Sequence, residues 1–516
     1  MLFHRTQLHA AALALLLLTS AIGQMPRTPQ KPRAPAFTFA TVRRLAQARA
    51  ARPYHIRSTP LPRAFARLTY DQYRDIHFRP SAALWHGQSM FEVQFFHRGF
   101  TFARRVNIYE VLPSGVRPVT YRPSMFRFGR SVPRVALPAN LGFAGLSVHF
   151  PLNTPGYKDE VIAFLGASYF RPLGRDEGYG VSARGLAIDT ATPAGEEFPY
   201  FTDFWLVRPA PNQHSMTLYA LLDSPSLTGA YEFDVRPGTT TQVQVTAELY
   251  PRSAVDKLGI APLTSMFLYG KSSARRPFDD WRPEVHDSDG LMMETGGGEW
   301  LWRPLENPRK LEVNRFMDDD PKGFGLIQRD RNFADYEDPA SQYERRPSYW
   351  IEPLGGWGKG GVELVEIPSD EEIHPNIDAY WVPSARVVPH VPIRFSYLLS
   401  AYLKSDDRWP PGGRVVATRI GAVMRGAAPV SGMRLVLIDF SGGDLKSLSA
   451  AQPVHADVSA NGGTVSNVTV QRLPENGHWR MTMEVKPAGD QPVDLQCYLD
   501  LYGEALTETW TYQLTP

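Results

Sequence analysis

One cysteine in 516 residues, Cys497, rules out an intrachain disulfide, so a buried core has to hold the fold. A chain this long can supply one. Charge of one sign is also lacking: 55 Lys and Arg stand against 53 Asp and Glu, a formal net charge of +2. Pairs such as Arg43-Arg44, Arg104-Arg105 and Arg275-Arg276 are scattered and build no basic stripe. Nucleic acid and anionic membrane surfaces are therefore not expected partners. Long hydrophobic runs are missing as well. The run Ala10–Leu18 holds nine residues, and no later segment approaches the roughly 18 that a transmembrane helix needs.

That short run follows Arg5 and precedes Ala21-Ile22-Gly23, the layout of a secretory signal peptide over residues 1–23. No membrane insertion is expected after its removal. No twin-arginine pair precedes the run, which argues for export of the unfolded chain, and no cofactor is expected. Residues 24–36, rich in proline and charge, read as a disordered lead.

What the chain does have is 45 prolines, 41 glycines and 12% aromatics, the composition of many short strands and turns. Helical spacing is confined to Phe39, Val42, Leu45 and Ala46, ending before Pro53, and to a short segment at Tyr70–Ile76. Period-two alternation follows at Phe91, Val93 and Phe95 and again at Val243, Val245, Ala247 and Leu249, the pattern of antiparallel sheets packed face to face. Proline punctuation and a change of character at Val382–Pro392 mark a boundary. Beyond it, strand patterns begin at Ile393–Leu399 and recur at Met433–Phe440, Thr464–Gln471, Trp479–Val485 and Thr507–Leu514. The fold class expected is mainly β: a large antiparallel β-sandwich over 37–384 and an Ig-like sandwich over 393–516. Cys497 falls on alternation in Val493–Leu499 and is expected to be a buried strand residue.

The stretch Asp280–Pro304 concentrates carboxylates, His286, three tryptophans and a glycine run. Sugar suits that mixture, because a pyranose offers C–H faces to indoles and hydroxyls to carboxylate, guanidinium and amide groups. Two strands around a glycine turn, with the tryptophans in the core, are the alternative. Other chemistries fit poorly. Gly180-Val181-Ser182-Ala183-Arg184 lacks the closing glycine of a nucleophile elbow, and Gly296–Gly298 and Gly355–Gly360 lack phosphate-loop spacing. Asp287 with Asp289, and Asp318–Asp320, do not match a calcium-binding loop, and no metal is expected.

Gly142-Phe143-Ala144-Gly145, Gly166–Arg171, Ser182–Thr190, Gly195–Pro199, Tyr219–Pro225, Leu263–Phe267, Arg282-Pro283-Glu284 with His286-Asp287-Ser288, and Val362–Pro368 run in one order along the chain. In these motifs the sequence resembles the osmoregulated periplasmic glucan biosynthesis protein G/D family, from about Phe37 to the carboxyl end. The resemblance implies a periplasmic protein with a long groove in its first sandwich, working on β-1,2-linked glucan. Some members of that family are inverting β-1,2-glucanases. By motif, Asp287 corresponds to the general base, and the proton for the leaving oxygen is thought to travel through a substrate hydroxyl. The family's acid, an aspartate before Asn-Ile, is here Pro375 in His374-Pro375-Asn376-Ile377. Proline carries no proton, and Asp378 lies an odd number of residues away, on the opposite face of an extended strand. Glu371, Glu372 and His374 are the compensating candidates. Candidate glucan contacts are His286, Trp300, Trp302, Arg303, Tyr343, Arg346, Trp350, Trp357 and Lys359. The resemblance further implies a lid at Ser405–Arg414. In the family this loop sometimes comes from a neighbouring protomer, which leaves a homodimer open. Two readings stay in view, an enzyme of β-1,2-glucan and a glucan-binding accessory protein.

Overall fold

A computed structural model describes residues 37–56, 60–273, 279–404 and 408–515. The expected signal peptide and lead, and Ser405–Asp407 of the expected lid, lie outside the described residues. The first helix, α1 (Phe39–Ala50), buries Val42 and Ala46 against Trp205, Tyr219 and Tyr250, and Thr228 Oγ1 donates to its Ala46 carbonyl at 2.8 Å. Leu45, expected on the same face, is 41% exposed instead. Two short helices follow, α2 (Arg63–Ala66) and α3 (Tyr70–Arg74); Thr69 caps α3 by accepting from Gln72 N. No described helix is long and apolar enough to cross a membrane.

Apart from the short helix Phe333–Tyr336 and a few 3-10 turns, strands build the rest of the regular structure, as the alternation implies. A ten-stranded sheet runs from Glu92–Phe96 through Gly145–Phe150, Asp159–Leu165, Tyr169–Pro172, Ser182–Arg184 and Leu258–Ser265 to Ile377–Pro383, Lys359–Glu366 and Glu312–Asp319, with Ala187–Ile188 paired off it. A fifteen-stranded sheet faces it. Val93, Phe95, Leu146, Phe164, Leu263 and Trp381 of the first sheet pack with Phe204, Leu218, Phe233, Val245 and Leu399 of the second in one core. Among the described strands, pairing is antiparallel save for Asn107–Leu112 with Tyr200–Val207 and Trp300–Pro304 with Thr509–Leu514, which run parallel.

The carboxyl-terminal region is a second sandwich. Strands Arg414–Arg425, Ala428–Ser441, Trp479–Pro487 and Gly463–Arg472 form a four-stranded sheet, and its Val436, Ile438 and Met483 pack against Leu495, Cys497 and Trp510. Cys497 is fully buried on its strand, and burial raises its thiol pKa far above the usual range. Strand Ile393–Tyr402 departs from the expected partition. It pairs with Thr241–Pro251 on one side and Ser348–Pro353 on the other, so it belongs to the large second sheet. That sheet also continues through Trp300–Pro304 into Thr509–Leu514, joining both regions by backbone hydrogen bonds.

Candidate functional site

Only one face of the ten-stranded sheet is covered by the second sheet. Alternation turns Gln94, Ser147, His149, Arg171, Ser182 and Asp378 to the opposite face, one residue out of step with the core. Polar and titratable side chains dominate that face.

Asp287 enters from a neighbouring segment. The two-residue strand Val285–His286 pairs with Phe267–Tyr269, and Asp287 N then donates to Met266 O at 2.8 Å, which fixes the carboxylate beside the first sheet. Asp287 is 8% exposed and forms an ion pair with Arg346. Burial raises its pKa above the ordinary carboxylate value, while Arg346, His286 and Arg171 pull the other way. A carboxylate of raised basicity, held by one guanidinium, is suited to taking a proton from water.

His286 does not meet solvent. Its Nδ1 lies 2.8 Å from Gln328 Oε1 and its Nε2 3.1 Å from Glu284 Oε2, and the ring stacks on Phe267 at 5.3 Å. Gln328 Nε2 donates to His286 O at 3.1 Å, so Gln328 Oε1 is the acceptor and both ring nitrogens face acceptors. Burial lowers the imidazole pKa, but the Glu284, Asp289 and Asp330 carboxylates together outweigh it and the net shift is upward. His286 is thus a post that fixes the backbone before Asp287, with no open face for sugar.

Pro375 lies at the other end of the same segment. Asn376 N donates to Ser265 O at 3.0 Å, and the Asn376 amide exchanges bonds of 2.8 and 3.0 Å with Phe267 N and O. Ser265-Met266-Phe267 therefore carries Asp287 on one flank and the Pro375 loop on the other, although 88 residues separate the two in sequence (375 − 287). Pro375 itself is exposed. Of the compensating candidates, Glu371 and His374 are exposed and face each other at 3.6 Å. Glu372 accepts from Tyr343 Oη at 3.2 Å and from Arg282 Nη2 at 2.6 Å. The Tyr343 ring carries the Arg346 guanidinium at 3.8 Å, which completes a path Asp287–Arg346–Tyr343–Glu372. Asp378 is directed elsewhere: Thr264 Oγ1 donates to it at 2.6 Å and Arg184 lies 3.8 Å away.

Tyr343 and Arg346 are the expected contacts that gather at Asp287. The tryptophans do not. Trp302 lies across Gly290, where an added Cβ would come within 2.1 Å of its ring, and Trp350 lies across Gly323 in the same way at 2.3 Å. Trp300 stacks on Trp350 at 5.7 Å, and Arg329 covers Trp302 at 3.5 Å. Packing at the junction of the two sandwiches accounts for all three. Arg303 is 5% exposed, set over Tyr512 at 5.5 Å and 4.0 Å from Glu366. Trp357 donates to Ser396 O at 3.2 Å while packing on Tyr397, and Lys359 is exposed on a strand end opposite Asp319. The glycine run is a turn: Gly298 has φ of 90° and donates to Thr295 O, and Asp318 accepts from Gly296 N.

Sequence reasoning passed over Arg282, Gln328 and Arg171, all of which act on Asp287 or its support. Arg171 was visible as an alternate residue of Gly166–Arg171, on a strand whose Phe170 is core. Among the described residues, Glu284, His286 and Asp330 bring potential metal-ligand atoms within 4.8 Å of one another. An ammonium already pairs with both carboxylates of that group. Lys271 Nζ lies 3.3 Å from Glu284, 2.6 Å from Asp330 and 3.0 Å from Asp335, and burial pushes the Asp330 carboxyl up to about 7.

Fold and site together define a mainly β, double-sandwich protein whose first sheet turns polar side chains away from the core, beside a buried carboxylate. Residues 37–514 match the family described as periplasmic glucan biosynthesis protein, MdoG, and the chain belongs to that family. It is 45% identical over 488 residues to glucans biosynthesis protein G of Ralstonia nicotianae, covering 93% of this chain and 96% of that one. Glucans biosynthesis protein G of Rhodopseudomonas palustris is 44% identical over 515 residues, 99% and 100% of the two chains. The probable glucans biosynthesis protein D of Shewanella oneidensis is 45% identical over 508 residues, 97% and 92%.

Proposed function

We propose that this protein acts in the periplasm on the β-1,2-linked backbone of glucans under biosynthesis, holding the chain on the polar face of the first sheet. Asp287 is the carboxylate that activates water or positions an acceptor hydroxyl. One observation carries this reading: Asp287 and the Pro375 loop flank the same segment, Ser265-Met266-Phe267. A base on one flank and an acid on the other is the layout inversion requires, and here the second flank carries Pro375, which supplies no proton.

The second reading is a glucan-binding accessory protein without hydrolysis. A specific observation favours it, because Pro375 has no proton to give and Glu372 accepts from two donors. Incubating the mature wild-type chain and Pro375→Asp with linear β-1,2-glucan separates the two. Robust wild-type product formation supports the enzyme. An inert wild type that binds the polymer, with turnover gained in Pro375→Asp, supports the accessory protein. Absence of both binding and turnover overturns the glucan reading.

A further inference from the structure

The loop that carries Pro375 buries little of its own. Asp370, Glu371, Ile373, His374 and Pro375 are exposed, Ile373 to 71%, so apolar packing does not hold this loop in place. Its ends are tied by two asparagine side chains, with Glu372 accepting from Tyr343 and Arg282 between them. At the far end Asn376 exchanges bonds with Phe267 N and O, and its Nδ2 also donates to Ile367 O at 3.0 Å. The near end has the same device, reached from elsewhere in the chain. Asn307 Nδ2 donates to Ser369 O at 2.8 Å, Ser369 N donates back to Asn307 Oδ1 at 2.9 Å, and Nδ2 also reaches Leu268 O at 3.2 Å. Each amide copies a strand partner, offering donor and acceptor to the main chain of one residue. Both fasten the loop to consecutive residues, Phe267 and Leu268, next to the Met266 carbonyl that fixes Asp287.

Asn307 is in turn held from several sides. Leu305 N donates to Asp289 O at 3.0 Å, two residues beyond Asp287, and Glu306 N donates to Glu366 Oε1 at 2.7 Å. The Glu306 carboxylate accepts from Tyr512 Oη, on strand Thr509–Leu514 of the second sandwich. Leu305-Glu306-Asn307 is thus a bracket between the second sandwich, the Asp287 segment and the base of the Pro375 loop. We propose that Asn307 is a positioning residue of the site: it sets where the Pro375 loop stands opposite Asp287 and passes to that loop the hold of the second sandwich. Its Nδ2 is spent on two main-chain oxygens, so it acts on substrate only through the loop. The inference rests on the glucan reading above and adds that the second flank of the site is placed from outside the loop. Reacting groups are sensitive to displacements of about 1 Å, which makes such a bracket matter for rate.

The test uses the mature chain, wild type or Pro375→Asp, whichever turns linear β-1,2-glucan over, with and without Asn307→Ala. The kcat is expected to fall about 10- to 100-fold while KM stays, because the loop moves and no sugar contact is removed. Hydrogen exchange followed by mass spectrometry should show residues 369–376 opening roughly tenfold faster, with the strands of the first sandwich unchanged. Should Asn307→Ala fail to fold, Asn307→Asp takes its place with the same expectations, since it keeps the acceptor for Ser369 N and loses both donated bonds. Unchanged kcat, a rise in KM in place of the kcat loss, unchanged exchange in the loop, or faster exchange throughout the first sandwich overturns the inference and leaves the glucan reading standing. Glucan that binds without turnover in both wild type and Pro375→Asp does the same, since a loop outside any reaction has no reacting geometry to set. Absence of both binding and turnover in the two proteins overturns the inference and the glucan reading together.

Discussion

Arg282 Nη2 lies 2.6 Å from Glu372 Oε2, and Tyr343 Oη donates to that same oxygen at 3.2 Å. An oxygen that accepts from two donors is arranged as an anchor, the reverse of a proton donor. Glu372→Gln should therefore change any β-1,2-glucan turnover far less than the about 100- to 10,000-fold that a general acid supplies. Product formation from the polymer checks this. A loss of that full size would make Glu372 the missing acid.

Arg346→Ala tests the base. Burial holds the Asp287 carboxyl above its ordinary range while Arg346 pulls it down, so removing the guanidinium raises it further. Activity that needs the carboxylate then fails at a higher pH than before. In whichever protein turns glucan over, wild type or Pro375→Asp, the acidic limb of the pH–rate profile should move up when Arg346→Ala is added. A limb that stays in place removes Asp287 as the titrating group.

The β architecture was legible because alternation at Phe91, Val93 and Phe95 reports directly which face is covered, and those three are buried. Which strands share a sheet was not. Ile393–Tyr402 reads as the opening of a new region, yet it completes the large sheet, because proline punctuation marks a turn and says nothing of the strand's partners. The site divided in the same way. Asp287 is marked by its motif, whereas Trp302 and Trp350 read equally as sugar platforms or as core, and only the fold lays them across Gly290 and Gly323. A tryptophan's composition cannot tell a ring from a glycine cradle. Gln328 and Arg282 reach the site only through tertiary contact.

Stability should fall as pH rises. Burial pushes Glu366 up to about 8 and Glu306 up to about 7, both above the unfolded carboxyl value, and Glu366 Oε2 has no hydrogen-bond partner. The native state then binds more protons than the unfolded chain from the unfolded carboxyl pKa up to about pH 8, so unfolding free energy declines across that window and levels off above it. Melting temperatures measured from pH 5 to pH 9 should show the fall, and Glu366→Gln, neutral at every pH, should flatten it. An unchanged slope in Glu366→Gln would mean that other buried carboxyls set the profile.

Arg329 ties the two sandwiches together. Its Nη1 and Nη2 donate to Glu508 at 2.6 and 2.9 Å, Nη1 also reaches Val415 O at 2.9 Å, and the guanidinium covers Trp302 at 3.5 Å. Glu508 is 2% exposed, so truncating its partner strands a carboxylate away from water. Arg329→Ala should cost about 3–5 kcal/mol in chemical denaturation, the range for breaking a buried pair. Arg329→Met with Glu508→Gln tests the cause. If the penalty comes from the stranded charge of Glu508, the double variant recovers much of the loss, because the apolar stem still covers Trp302 and residue 508 is neutral. If the penalty instead comes from the guanidinium's stacking on Trp302, the double variant stays as unstable as Arg329→Ala.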